Sequence, residues 1–313
     1  MNKQDTSVHP ELQTFAARMP QFTFSSKNLW VWRLMDRVLW KRKTPPDISI
    51  EHVHIPRADG SSIRLRVYRS KAKNATAPAM VWMHGGGYIG GKPEQDDLYC
   101  IHFVREAGLV IVSVDYRYAP EHPFPSALED CHAALTWIKA NASQLGVDAD
   151  RIAIGGESAG GGLAAALVQL AVDRKEVKPV FQLLIYPMLD DRTVLRSDLA
   201  DRVYRAWNQE SNRFGWESYL GRKCSAEAVP PYSVPARRED LSTLPPAWIG
   251  VGTLDLFHDE DVTYAKRLKE CGVDCELTVV PGAFHGFDLA GMQVNVVRDF
   301  IGSQVDALKK NLG

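Results

Sequence analysis

One serine, Ser158, stands in the glycine-rich stretch Gly156-Glu-Ser-Ala-Gly160. This stretch fits G-x-S-x-G, the pattern of a nucleophile elbow, in which the serine occupies a strained turn between a strand and a helix. An apolar run at 151–154 precedes it and a helix-forming run at 163–171 follows it, as such a turn requires. The flanking glycines leave room for close backbone approach. The stretch therefore predicts a serine nucleophile; the alternative is a tight strand-to-helix turn with an incidental serine.

Two other glycine-rich motifs fit this stretch poorly. A phosphate-binding loop continues into Gly-Lys-Ser/Thr, whereas here Gly162 is followed by Leu163. A dinucleotide fingerprint needs G-x-G-x-x-G early in a βαβ unit and an acidic residue about 20 residues later, and neither condition is met. Nucleophilic chemistry is the favoured interpretation.

A serine hydroxyl needs a histidine to take its proton and a carboxylate to orient that histidine. In the fold that carries the elbow, the chain order is Ser, Asp or Glu, then His. Two histidines follow the serine, His258 and His285. We favour His285, which lies in a glycine-flanked loop directly after a predicted strand, whereas His258 stands at a predicted helix start.

The orienting carboxylate is expected at the same edge of the sheet as the histidine. Asp255 ends the run 248–255, directly after a predicted strand, and we favour it for this role. The acidic residues at 259–261 follow closely. We expect them to stabilise the positive N-terminal end of the next helix.

Attack on a carbonyl produces an oxyanion, which backbone N–H groups must meet. The residue after the nucleophile, Ala159, supplies one donor. The others are expected from the loop after the third strand, which reads His84-Gly-Gly-Gly87. The spacing alone does not say which two of these three glycines donate.

The composition of the chain argues against several classes of partner. The chain has 313 residues, is 45% hydrophobic and carries a formal net charge of −1. It is long enough to bury a large core. Because there is no basic excess, we expect no nucleic-acid partner, and a small neutral substrate is the default.

Cysteines and hydropathy indicate the compartment. Five cysteines form no C-x-x-C pair, and an odd number argues against a complete disulfide framework. The first residues lack a secretory h-region, and no run approaches the ~18 apolar residues of a membrane span. We therefore expect a cytoplasmic protein without stable membrane insertion.

Strand-like and helical patterns alternate along the chain. The strand-like runs lie at 51–56, 62–69, 80–84, 109–116, 151–155, 181–187, 247–252 and 275–280, and the helical patterns at 97–107, 125–142, 158–172, 259–271 and 291–309. The first two strands read as a hairpin. From the third strand onward, the alternation predicts a mostly parallel sheet with helices on both faces.

Two segments interrupt this alternation, 1–45 and 188–230. The first contains Leu29, Trp30, Leu34 and Val38 at helical spacing. We expect an amphipathic helix packed on the body of the protein; the alternative is a helix on a membrane surface. Both segments are expected to form a cap.

The sequence resembles the hormone-sensitive-lipase-like (bacterial family IV) carboxylesterases of the α/β-hydrolase superfamily. The resemblance runs from about residue 50 to the end, and it rests on His84-Gly-Gly-Gly87, Asp115-Tyr-Arg-Tyr-Ala-Pro-Glu-His-Pro-Phe-Pro125, the elbow up to Gly161, Tyr186-Pro187 and His285-Gly-Phe287. It implies an eight-stranded α/β-hydrolase domain at 46–187 and 231–313, and a helical cap made of 1–45 and 188–230. It also implies no cofactor, no metal and a preference for short acyl chains.

The resemblance also implies roles for single residues. Ser158 is the nucleophile, His285 the general base and then acid, and Asp255 its orienting partner. The oxyanion donors are Gly86, Gly87 and Ala159, and the supporting positions are His84, Gly85, Gly156, Glu157 and Gly160.

Three departures from the family pattern accompany the resemblance. The family often has Asp in place of Glu157, Pro in place of Leu256, and Leu in place of Tyr118. We expect the Glu157 side chain to point away from the serine and to support the elbow. None of the three removes a triad member.

The sequence predicts a serine carboxylesterase that cleaves short- to medium-chain esters through an acyl-enzyme. Aromatic residues in the cap segment, with Tyr88 and Phe287, suggest an apolar acyl or alcohol pocket. An amidase or deacetylase with the same triad is the alternative. A non-catalytic binding protein, as the plant gibberellin receptors of this fold are, is disfavoured because His285 is present. The sequence leaves homodimer formation open.

Overall fold

A single mixed sheet organises the protein. The computed structural model describes residues 7–19, 21–40, 43–57, 59–72, 76–200 and 202–313. The strands are β1 (Ile48–Pro56), β2 (Ser62–Ser70), β3 (Ala77–Met83), β4 (Val110–Asp115), β5 (Val147–Glu157), β6 (Phe181–Ile185), β7 (Ala247–Gly252) and β8 (Cys275–Val280). They lie in the order β1-β2-β4-β3-β5-β6-β7-β8. β1 and β2 form the predicted antiparallel hairpin, and β2 also runs antiparallel to β4, whereas the other pairs are parallel.

Helices lie between the parallel strands in the chain, before the first strand and after the last. They are α1 (Gln13–Arg18), α2 (Leu29–Leu39), α3 (Asp97–Ala107), α4 (Ser126–Ala140), α5 (Ala142–Leu145), α6 (Ala159–Arg174), α7 (Gln209–Leu220), α8 (His258–Glu270) and α9 (Asn295–Leu312). Short 3-10 helices lie at Pro10–Leu12, Pro93–Asp96, Asp191–Leu195, Ser197–Leu199, Pro235–Arg237 and Phe287–Ala290.

The central strands are buried on both faces. Every residue of β6 and β7 is buried, and α6 between β5 and β6 is buried from Ala159 through Ala171. Parallel strands covered by helices on both sides lose the polar alternation of half-exposed strands. This is why apolar residues are more frequent in the later strand-like runs of the sequence than in the first two.

The predicted eight-stranded, mostly parallel α/β fold is confirmed. β7 and β8 begin and end at the predicted residues. β5 is longer than predicted, from Val147 to Glu157, because the aspartates at 148 and 150 interrupt the apolar pattern ahead of residue 151. In the described chain the five cysteines are free.

The orientation of α2 differs from the expectation. Leu29 is buried, but Trp30 and Leu34 are 66% and 54% exposed, and the Val38 side chain lies outside the described part. Arg33 fixes this orientation, because its guanidinium donates to the carbonyls of Ile89 and Ala119. The helix therefore packs on the body through Leu29, whereas Trp30 and Leu34, which share its apolar spacing in the sequence, face away from the body. Within the described ranges, no helix is long and apolar enough to span a membrane.

Candidate active site

Ser158 occupies the turn between β5 and α6. Its φ is +54° and its ψ −122°, a conformation that is strained for a residue with a side chain. The backbone around it is crowded: a Cβ at Gly156 would lie 2.4 Å from the carbonyl oxygen of Gly160, and one at Gly160 would lie 2.1 Å from that of Met83. Glycine is therefore required at both positions, as the elbow pattern predicts.

Neighbouring backbone fixes this turn. The amide of Ser158 donates to Ile185 at 2.9 Å, and the Ser158 carbonyl accepts from Met188 at 2.9 Å. Both partners lie at the end of β6 or just beyond it. The sheet itself therefore holds the serine in its strained conformation.

His285 reaches Ser158 from the loop after β8. Its Nε2 lies 2.9 Å from Ser158 Oγ, and the imidazole is buried to 8% exposure. The rings of Tyr186 and Phe257 meet it edge-on, with centroids 4.7 and 5.1 Å away. Nucleophile and base are thus within hydrogen-bonding reach and the base has little freedom to rotate.

Asp255 lies on the other side of the imidazole, just after β7. Its Oδ2 is 2.8 Å from His285 Nδ1, and its Oδ1 accepts the Phe257 amide at 2.9 Å. Burial alone would lower the pKa of His285, but the charge and hydrogen bond of Asp255, with the charges of Glu157 and Asp288, raise it above its ordinary value. An imidazolium formed during proton transfer is therefore stabilised here.

The competing histidine lies elsewhere. His258 stands at the start of α8 with its Nδ1 2.8 Å from Asp259, and Asp259 also pairs with Arg196 at 2.7 Å. Glu260 accepts the amides of Leu189 and Asp190. The structure therefore brings together Ser158, His285 and Asp255, and it leaves His258 outside this group.

The loop His84–Gly87 lies against the serine. A Cβ at Gly85 would be 3.5 Å from the Ser158 Cβ and 2.9 Å from Glu157 Oε1. Gly86 and Gly87 have φ of +125° and +60°, which favour glycine. Within the described residues, the amides of Gly86, Gly87 and Ala159 have no acceptor, so they are free to receive a negatively charged oxygen.

The buried side chain of His84 supports this loop. Its ring stacks on Tyr116 with centroids 4.3 Å apart, and its Nδ1 lies 2.8 Å from the Gly85 carbonyl. Burial lowers the pKa of His84 to about 4, so the ring is neutral at neutral pH. It therefore shapes the loop and does not contribute a charge to the site.

Glu157 points away from the serine, as expected. It accepts hydrogen bonds from Gln95 Nε2 at 3.2 Å and from the Tyr186 hydroxyl at 3.1 Å. Tyr186 also contacts Asp288. Neither Gln95 nor Asp288 is among the residues predicted from the sequence; the signal for Asp288 was its position directly after the His-Gly-Phe motif.

Aromatic side chains cover the loop from above. A Cβ at Gly87 would lie 2.1 Å from Trp207 Cη2, and one at Gly90 would lie 2.1 Å from Trp32 Cζ3. Phe24 packs between the two indoles, with centroids 4.9 Å from Trp32 and 5.5 Å from Trp207. Phe24, Trp32 and Trp207, which come from both interrupting segments, therefore form one aromatic cluster that covers the glycine loop.

Two residues expected near an apolar pocket have other neighbours. Tyr88 is buried, stacks on Tyr219 at 4.1 Å and donates its hydroxyl to Met188. Phe287 is fully buried against Phe300. These rings are hydrophobic core, because they pack inward from the loops that carry them.

The described residues include no cluster of three or more His, Cys, Asp or Glu side chains arranged to hold a metal ion.

The chain is similar to known esterases in sequence and in fold. A family described as having the alpha/beta hydrolase fold matches residues 80–289. The carboxylesterase NlhH of Mycobacterium tuberculosis is 36% identical over 288 residues, covering 86% of this chain and 86% of that relative. The ethyl acetate hydrolase of Pseudomonas putida is 31% identical over 270 residues, covering 85% and 84%. The solved structure of a bacterial heroin esterase superposes with a TM-score of 0.92 at 32% identity, covering 99% of this chain and 100% of that one.

Proposed function

This chain belongs to the hormone-sensitive-lipase-like carboxylesterases of the α/β-hydrolase fold, and we propose that it hydrolyses short carboxylic esters with Ser158, His285 and Asp255. The observation that carries the proposal is the unbroken chain of contacts among these three residues. Ser158 Oγ lies 2.9 Å from His285 Nε2, and His285 Nδ1 lies 2.8 Å from Asp255 Oδ2. The relatives and solved structures that match this chain are esterases, which supports ester hydrolysis as its reaction.

The first step is attack of Ser158 on the ester carbonyl. His285 takes the hydroxyl proton through Nε2, while Asp255 holds the Nδ1 proton and stabilises the imidazolium. The imidazolium then gives its proton to the departing alcohol. Water, activated by the same histidine, cleaves the acyl-enzyme and restores the serine.

Backbone amides stabilise the oxyanion in both steps. We assign this role to Ala159 together with Gly86 and Gly87, because their N–H groups are unpaired beside Ser158 among the described residues. A single oxyanion donor is worth a factor of about 10²–10³ in kcat. Fixed backbone donors need no rearrangement during the reaction.

The aromatic cluster that covers the glycine loop favours short acyl groups. Ser158 and His285 are only 6% and 8% exposed, and Trp207 packs directly on Gly87. A long acyl chain would have to displace this indole. We therefore propose short- to medium-chain esters as substrates, in line with the ethyl acetate named for one relative.

We propose that segments 1–45 and 188–230 form one cap over the catalytic domain at 46–187 and 231–313. The Phe24 amide donates to Ser211 Oγ at 3.0 Å, and Asn208 Nδ2 donates to Thr23 Oγ1 at 2.8 Å. These bonds join the two segments although about 185 residues separate them. A cap assembled in this way would move as one unit.

Free thiols suit a reducing compartment, so we propose a cytoplasmic enzyme, which cell fractionation tests.

β8 is an edge strand and edge strands can pair with a second copy, so homodimer formation is tested by light scattering of the purified chain.

The decisive experiment is hydrolysis of p-nitrophenyl esters from acetate to palmitate by the native protein and by Ser158→Ala. We expect short esters to be cleaved by the native protein alone, with a loss of about six orders of magnitude in kcat for the variant. Retention of more than a small fraction of the rate by Ser158→Ala would overturn the assignment. Failure of both proteins on every ester would favour amide substrates or binding.

A further inference from the structure

The side of α2 that points away from the body is an exposed apolar surface. It consists of Trp30, Val31, Leu34, Met35 and Leu39, each between 38% and 66% exposed. Because successive helical residues are about 100° apart, these five lie within about half of the helix circumference. We call this surface the outer face of α2. Large exposed apolar patches on soluble proteins commonly mark sites that contact a partner or a membrane.

The opposite side of α2 is fully engaged with the body. Leu29 is buried, and the Arg33 guanidinium donates to both carboxylate oxygens of Glu121, at 2.7 and 2.9 Å. Asp36 is buried and accepts from Trp40 Nε1 at 2.5 Å. Rotation of the helix to bury its outer face would break these contacts. The outer face is therefore fixed in its exposed position.

Positive charge accompanies this apolar surface. Residues 27–43 contain six Lys or Arg and a single acid, Asp36, so the segment has a formal charge of +5. Because the whole chain carries −1, the rest of it carries −6. Lys27 and Lys43, which lie before and after the helix, are both exposed. The chain thus concentrates positive charge around its exposed apolar helix.

Apolar side chains and positive charge together fit a lipid surface with anionic headgroups. Indole and aliphatic side chains on one side of a helix enter the boundary between headgroups and acyl chains. Lysines beside them are attracted by anionic headgroups. A second copy of this chain fits less well, because two segments of charge +5 would face each other.

We propose that the outer face of α2 docks on a lipid surface that contains anionic phospholipids. Its apolar side chains enter the headgroup boundary, and Lys27 and Lys43 contact the headgroups. Trp32, on the other side of the same helix, packs over Gly90, so docking places the glycine loop on the lipid side of the molecule. This interaction goes beyond ester hydrolysis, and it needs none of the three triad residues.

Flotation of the full chain with large unilamellar vesicles tests the proposal. One set of vesicles is phosphatidylcholine alone, and the other contains about one third phosphatidylglycerol. We expect binding to the anionic vesicles to be tighter by roughly tenfold or more, and about 1 M salt to remove the difference. No binding to the anionic vesicles, or equal binding to both sets, would overturn the proposal.

Leu34→Ser tests the apolar part of the contact, with Leu98→Ser as the matched control. Both leucines are helical, and they are 54% and 53% exposed, but Leu98 lies on α3, which packs against α9. Leu34→Ser should weaken binding to the anionic vesicles roughly fivefold, since the leucine leaves water on docking. Leu98→Ser should bind as the native chain does. An equal effect of the two substitutions would refute docking through the outer face.

Lys27→Gln and Lys43→Gln test the charged part. Each should weaken binding to the anionic vesicles about fivefold and leave binding to phosphatidylcholine unchanged. Lys178→Gln is the control, because Lys178 is exposed and precedes β6, at the opposite edge of the sheet from Ser158. If neither Lys27→Gln nor Lys43→Gln weakens binding more than Lys178→Gln does, the attraction to anionic headgroups is excluded.

Ser158→Ala separates docking from catalysis. This variant should float with the anionic vesicles as the native chain does, because the proposed contact lies outside the triad. A native chain that binds the vesicles and cleaves no ester would refute the proposed function and leave docking intact. A chain that cleaves esters and does not bind would refute docking alone.

Light scattering without lipid tests whether a second copy occupies the outer face instead. We expect Leu34→Ser to leave the molar mass of the native chain unchanged. A dimer that Leu34→Ser dissociates, together with no binding to the anionic vesicles, would assign the outer face to a second copy and overturn the proposal.

Discussion

Replacement of Asp255 by asparagine tests the proposed triad through hydrogen-bond geometry alone. In the structure, Asp255 Oδ2 accepts from His285 Nδ1 and Oδ1 accepts from the Phe257 amide. Asparagine has one acceptor oxygen and one donor group at these two places. If the oxygen stays on the Phe257 amide, the NH₂ group faces Nδ1, so the imidazole must carry its proton on Nε2.

That tautomer cannot accept the Ser158 proton, because Nε2 is the atom that faces Oγ at 2.9 Å. Reversing the amide would place its NH₂ group against the Phe257 N–H and leave two donors facing each other in a buried site. Both arrangements disfavour the reactive state. A loss of about 10⁴ in kcat is the magnitude known for this change in a serine protease triad, equivalent to about 5 kcal/mol in the barrier.

The assay is kcat and KM for p-nitrophenyl acetate at pH 8, with the thermal midpoint of unfolding measured alongside. Asp259→Asn is the control, because Asp259 pairs with His258 and Arg196; we expect it to keep activity within a few-fold. A loss smaller than about tenfold in Asp255→Asn, or an equal loss in both variants, would refute the reasoning.

Two further predictions concern pH and chain length. The pKa of His285 is raised in the folded protein, and the histidine must be neutral to accept the serine proton, so kcat/KM should rise with pH with a midpoint above 6.5; a midpoint below 6.5 in a full pH profile would contradict the contribution of the carboxylates. Trp207→Ala should raise the rate on hexanoate relative to acetate several-fold, since it removes the indole against Gly87. Trp216→Phe, which alters a core ring packed against Tyr88, should leave that ratio unchanged, and an unchanged ratio in both variants would exclude Trp207 as the limit on acyl length.

Local patterns predicted the parts of the fold that depend on neighbours in the chain. The limits of β7 and β8 follow from apolar runs bounded by polar residues and turns. The turn at Ser158 follows from glycines that its crowded backbone requires. The preference for His285 over His258 came from its glycine-flanked loop directly after a strand, and in the structure His285 Nε2 lies 2.9 Å from Ser158 Oγ.

Other features depend on residues far apart in the chain. The exposed face of α2 differs from the expectation because Arg33 bonds to carbonyls about 56 and 86 residues away, which a hydropathy pattern does not contain. Tyr88 and Phe287 lie beside site motifs in sequence, yet their rings turn into the core. Adjacency in the chain did not predict the direction of a side chain.

The sequence by itself determined the order of strands and helices, the strained turn at Ser158 and the identities of the residues that could act there, because these follow from local sterics and from periodicity. Only the tertiary structure decided what surrounds them. It set Trp207 on Gly87, and it placed Tyr186 between Glu157 and Asp288, residues separated from it by 29 and 102 positions. Such contacts arise when distant segments are packed against one sheet, and the charge that His285 experiences is therefore a property of the folded chain.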